Sequence, residues 1–310
     1  MVMVQILVYL AVIVFVVAIG AKIWRYATTP PHLRWELAPV PHEADKREYG
    51  GSYFEELEWW KSKPKKSLVT ELMAMAEEIL LLKGVYHHNR GLWYASYPFH
   101  LGLYLLVGLI GLLIVGALAP LAGVPVEAAS PAWIGRAIFF ATILAGYAGL
   151  TLALIGCVGL LVKRTQDPAL RPMTSTADLA NLVYILVLLA TALLAWLLTD
   201  QTFATSREIV SSFLRFQNLP DAGPIVVLEL TLFAGFLLYM PFTRMTHFFA
   251  KYFTYHKVRW EDDPNLPGGP YEEKMKTALN YNVTWKGPHV QTGKTWVELA
   301  TSDLPSEESK

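Results

Sequence analysis

Five long, mostly apolar runs recur along the chain, at 2–21, 98–119, 134–162, 178–199 and 224–250, separated by polar stretches of unequal length. A helix of about 20 apolar residues is what crosses the hydrocarbon core of a bilayer. With no water there to bond the peptide groups, a spanning segment must satisfy them internally, which a helix does. The pattern therefore predicts an all-α membrane protein with five transmembrane helices. It divides the chain into a first span (1–21), a polar segment (22–97), a four-span core (98–256) and a tail (257–310).

The polar segment is too long for a plain loop and opens rich in proline. Two helical pieces are expected after it, FEELEWWKS and SLVTELMAMAEEILLLKG. The second places Leu68, Leu72, Met75, Ile79 and Leu82 at helical spacing, which suits an amphipathic helix on the membrane surface or against a partner. The fourth span opens with Ser175, Thr176 and Asp178, residues that cap a helix N-terminus and favour its dipole. Pro224 suits the first turn of the fifth. The tail carries Tyr271, Tyr281, Trp285 and Trp296 in a polar setting, a composition open to docking on another protein or to disorder.

Composition supports the membrane reading: 54% of residues are hydrophobic and 17% charged, with a mean hydropathy of +0.34. A soluble domain of this size rarely has so few charges. The first run has no basic residue before it and Lys22 and Arg25 after it, the reverse of a cleaved signal. It reads as a retained span. Of the 26 Lys and Arg residues, 11 fall in 22–97, three in 163–176 and eight from Lys251 onward, against none in 120–133. Basic residues gather on the cytoplasmic side of a membrane. The expected topology has the N-terminus outside and the C-terminus cytoplasmic, in the cell inner membrane. Formal net charge is zero, so nothing in the bulk charge attracts nucleic acid. Cys157 is the single cysteine, which excludes an internal disulfide, a cysteine-held iron–sulfur cluster and covalent haem attachment through C-x-x-C-H.

Two histidines fall in or at the rim of the apolar runs, His100 in YPFHLGLYLL and His247 in PFTRMTHFF. With the expected topology both lie a few residues inside the cytoplasmic ends of antiparallel spans. Such a pair can ligate one haem iron from both sides. A lone membrane histidine is more often structural or handles protons. Arg244, three residues before His247, can pair with a haem propionate or simply mark the cytoplasmic side. Gly102 and Gly108 leave room for a macrocycle or for a neighbouring helix. Glu229 precedes His247 by eighteen residues, five turns of a continuous helix, so the two are expected on one face. A buried carboxylate there handles a proton, an ion or substrate, or makes a structural hydrogen bond. His87, His88 and His256 are expected at the surface; His32, His42 and His289 sit in polar segments with no visible constellation.

These residues resemble the membrane b-type cytochrome (gamma) subunit of respiratory nitrate reductase and its relatives, among them the cytochromes of heterodisulfide-reductase-like and sulfite-reduction-associated complexes. The resemblance rests on FHLGLYLL around His100, on KR followed by TSTADLANL, and on PFTRMTHFF around His247. It covers about residues 1–256. It implies haem b held by His100 and His247, menaquinone or another quinone as substrate, and a cytoplasmic iron–sulfur partner subunit, heterodisulfide-reductase-like or ferredoxin-like. The family pattern has a second histidine pair. Here the matching positions are Ile110 and Glu229, neither a normal haem ligand, so one haem is expected. Two rival readings stand beside this one: a haem-free membrane anchor, and a proton-coupled transporter using Glu229.

Overall fold

The computed structural model describes residues 1–29, 40–47, 49, 51–62, 65–260, 265–287 and 290–302. His32 and His289 lie outside them, as do the ends of the tail. Among the described residues the chain is all-helical apart from two isolated β-bridges. The helices used below are α1 (Val2–Thr28), α2 (Leu68–Leu80), α3 (Lys83–His88), α4 (Arg90–Leu118), α5 (Trp133–Gln166), α6 (Thr176–Leu198), α7 (Ala204–Leu214), α8 (Gly223–Tyr239), α9 (His247–Lys251), α10 (Pro270–Leu279) and α11 (Trp296–Thr301). Five segments, α1, α4, α5, α6, and α8 continued through Phe242, are long and apolar enough to cross a membrane. The chain is a multi-pass membrane protein. It divides into two compact units, one of Met1–Ala18 with Met75–Arg244, the other of Ile19–Ala74 with Met245–Lys310.

In the first unit α4 and α5 form the closest helix pair, because small residues let their backbones touch. A Cβ on Gly102 would lie 2.3 Å from the Ala153 nitrogen, and one on Gly156 would lie 2.3 Å from the Phe99 nitrogen. Gly159 faces Ala95 and Gly149 faces Leu105 in the same antiparallel register. Close backbone approach replaces the hydrophobic drive that lipid cannot supply. Gly102 thus serves helix packing, whereas a Cβ on Gly108 would meet open space.

Helix α6 starts on a capping box: the Ser175 hydroxyl accepts from the Asp178 backbone N–H, and the Asp178 carboxylate accepts from the Ser175 N–H. Its far side meets α8 through three polar rungs. Tyr239 donates to Asn181 at 2.8 Å, Tyr184 to the Leu232 carbonyl at 3.0 Å, and Thr191 to Glu229 at 2.5 Å. Helix α1 packs Val8 and Ala11 against Ala234 of α8, and Gln5 donates to the Gln217 carbonyl.

The stretch between α6 and α8 is more than the expected loop. Asp200 accepts from the backbone of Thr205 and Ser206 and so caps α7. Just before that helix, Phe203 turns its ring into the bundle against Leu109 and Ala145. Arg207 of α7 is buried, its guanidinium carbon 5.7 Å from the centre of the Phe139 ring. Burial pushes this guanidinium below its ordinary pKa, and the charge of Asp200 opposes that shift.

Three sequence expectations need correction. The run 224–250 is not one helix: α8 gives way to a 3-10 turn at Met240–Phe242, and Thr243 is extended. Pro241 lacks the N–H that would continue the ladder. FEELEWWKS forms two 3-10 turns, Tyr53–Glu55 and Trp59–Lys61, parted by Glu58 in the left-handed region. The second amphipathic piece breaks at Leu82, also left-handed, into α2 and α3.

Candidate functional site

His100 stands on α4, one residue past Phe99, which faces α5. Its Nδ1 lies 2.7 Å from the backbone carbonyl of Ser96 and 3.3 Å from the Ser96 hydroxyl. A carbonyl oxygen only accepts, so the ring hydrogen sits on Nδ1 and the lone pair on Nε2. This is the arrangement that orients a metal-ligating imidazole and raises its basicity. Ser96 was not singled out by sequence reading; its position four residues before His100, one helical turn, is the signal that could have found it.

His247 is the first residue of α9 and is exposed. It belongs to the second unit and His100 to the first. The interruption at Thr243 removes the continuous helix on which a shared face for Glu229 and His247 was expected. Arg244 lies in a separate 3-10 turn, Arg244–Thr246. Its Nη1 is 4.0 Å from the Asp178 carboxylate at the start of α6.

Glu229 is engaged on α6 through Thr191, which lies 38 positions away in sequence. Of the two matching positions for a second histidine pair, Glu229 is thus a hydrogen-bonded carboxyl within the helix pair, and Ile110 is 43% exposed on the outside of α4. Cys157 is buried between α5 and α6, its thiol donating to the Leu182 carbonyl.

The remaining histidines divide. His87 and His88 are exposed as expected. His256, expected at the surface, is 1% exposed, in a π-helical turn with Trp260 4.6 Å away ring to ring. His42, in which no constellation was visible, is buried with Nδ1 2.6 Å from the Glu71 carboxylate.

The sequence pattern of the family described as nitrate reductase gamma subunit matches residues 85–261. That is more than half of the chain, and it takes in α4 to α9 with both candidate histidines. The chain belongs to the nitrate reductase gamma subunit family. The gamma-subunit family comprises membrane cytochrome b subunits of respiratory oxidoreductase complexes. Its members are generally haem b cytochromes that interact with quinone and work with other catalytic subunits. No curated protein matches the chain. The family match begins at residue 85, so α1 and α2 lie outside the gamma-subunit pattern.

Proposed function

We propose that this gamma-subunit relative holds one haem b through His100 and His247 and passes electrons between a quinone pool and an iron–sulfur partner. The quinone is menaquinone or a close analogue. The partner, heterodisulfide-reductase-like or ferredoxin-like, binds the 22–97 segment and the tail on the cytoplasmic side. The Lys and Arg bias supports that side, with the N-terminus outside and the chain in the cell inner membrane.

The observation that carries the reading is the His100 Nδ1 bond to the Ser96 carbonyl. A helical histidine with its proton held on Nδ1 fits a haem-iron ligand, because Nε2 would then carry the lone pair. When bound, haem supplies one-electron transfer; its potential follows from ligands, burial and nearby charge. His100 and His247 would hold the group, and the planar guanidinium of Arg244 would be available to a propionate. Thr191 donates to Glu229 Oε2, which leaves Oε1 to take a proton released from a quinol hydroxyl.

A visible spectrum of the purified full-length protein tests this. The expected result is a Soret band and a reducible alpha band, both lost in His100→Ala and in His247→Ala. A colourless, well-folded wild-type chain would overturn the reading and leave the anchor or transporter in its place.

A further inference from the structure

Helix α2 wears its two faces the wrong way round for a protein surrounded by water. At 100° per residue, Leu68, Val69, Leu72, Met73, Ile79 and Leu80 share one side, and Glu71 and Glu78 fall on the other. Leu68, Val69, Leu72, Met73 and Leu80 are each at least half exposed. The acidic side is the one with protein against it: Glu71 lies 2.6 Å from His42, and a Cβ on Gly84 would lie 3.5 Å from the Glu78 carboxylate. A helix on a soluble surface turns its apolar stripe inward. A contiguous apolar face turned outward marks a surface that another apolar medium covers.

Two further observations say what that medium is. The C-terminal end of α2 is pinned to a membrane-crossing helix within the first unit. Tyr104 donates to the Ile79 carbonyl at 2.8 Å, and Trp93 donates to the Leu81 carbonyl at 2.9 Å. Trp93 and Tyr104 lie eleven residues apart on α4, about 16 Å along its axis. Trp93, Tyr94 and Tyr97 cluster on the opening turns of that helix, and aromatic residues gather where lipid meets water. The end of α2 is therefore held beside the first turns of a span.

The second observation is charge. The chain leading into α2 reads Trp59-Trp60-Lys61-Ser62-Lys63-Pro64-Lys65-Lys66, four lysines and two tryptophans in eight residues with no acid among them. Lys61 is bonded to Glu58. A basic run beside an amphipathic helix complements anionic lipid headgroups.

We propose that α2 lies along the membrane surface with its Leu68–Leu80 apolar face in the acyl boundary, and that Lys61, Lys65 and Lys66 collect anionic phospholipid headgroups. The occupant of the exposed face is lipid, not the partner subunit.

The test uses the full chain in nanodiscs holding one copy each, in a Cys157→Ala background, labelled at Met73→Cys or at Glu78→Cys. A spin label at 73 is expected to be several-fold more accessible to oxygen than to a water-soluble nickel chelate, and a label at 78 to show the reverse. Equal nickel access at both positions overturns the proposal. So does a label at 73 that is shielded only after partner subunits are added. For the headgroups, a fluorophore at 73 is expected to be quenched more by brominated phosphatidylglycerol than by brominated phosphatidylcholine at the same fraction. Replacing Lys61, Lys65 and Lys66 by Gln is expected to abolish that difference; an unchanged difference refutes the charged contact. Neither readout involves haem, so this proposal and the electron-transfer reading fail separately.

Discussion

The Phe203 ring occupies a notch that exists because residue 146 is glycine: a Cβ there would stand 2.3 Å from Phe203 Cζ. Phe203 is fully buried and carries a positive φ of 58°, so a chain conformation that costs energy is offset by the ring it delivers. The ring joins Leu109 and Ala145 and touches Tyr147 and Trp196, which ties α4, α5 and α6 together at one level. Removing it as Phe203→Ala is expected to cost about 3–5 kcal/mol. Gly146→Ala is expected to cost about 1–3 kcal/mol by overpacking. Thermal unfolding in detergent checks both, and a midpoint unchanged in either variant refutes the plug.

The α4–α5 contact is equally intolerant. Gly102→Val and Gly156→Val each place atoms on backbone rather than on a flexible side chain, so the helices must part. Loss of folded protein on size-exclusion chromatography is expected for both. Gly108→Val, where nothing is near, is expected to behave as wild type; equal loss at all three positions would contradict the register.

Asp200 stabilises α7 through two backbone N–H groups and the Ser206 hydroxyl. Asp200→Ala is expected to cost about 1–2 kcal/mol. Hydrogen exchange should then rise over 204–214 while α4 and α5 stay protected. Uniform exchange across the chain would mean that the cap acts on something larger than α7.

Haem content separates ligand from bystander histidines. His100→Ala and His247→Ala are expected to lose the Soret band, and His87→Ala and His88→Ala to keep it. Iron analysis should give about one iron per chain, as two bis-histidine sites need a second pair of ligands. A value near two would reopen the role of the outer half of the bundle.

For Glu229, the expected phenotype is kinetic. Glu229→Gln is expected to retain haem and slow reduction by a menaquinol analogue about 100-fold or more, the range typical of a lost proton acceptor. Thr191→Val is expected to have a smaller effect, because it removes one donor and leaves the carboxyl. Reduction at the wild-type rate in Glu229→Gln would assign the residue a purely structural bond.

Legibility followed the strength of the physical constraint on each residue. The capping residues Ser175 and Asp178 were readable because a cap acts over three positions. The end of the fifth helix was misread, although Pro241 stood in the run as the signal, because apolar averaging passes over a single proline whose neighbours are hydrophobic. Helix α7 went unseen because it is short and its apolar residues, Ile209 and Phe213 among them, pack on three other elements. His256 was placed at the surface because polarity was read locally, whereas its burial comes from the π-helical turn and the ring of Trp260.

By itself the sequence determined that this chain carries five segments long and apolar enough to cross a membrane, since the bilayer demands about 20 apolar residues per span and few other structures need them. It also singled out His100, His247, Arg244 and Glu229, as polar groups in or beside lipid are rare enough to stand out. Only the tertiary structure decided which glycines pack helices, that Phe203 enters the bundle, that Glu229 meets Thr191, and which nitrogen of His100 carries the lone pair. Those are contacts between positions far apart in the chain, or matters of an angstrom within one turn, and hydropathy has no term for either.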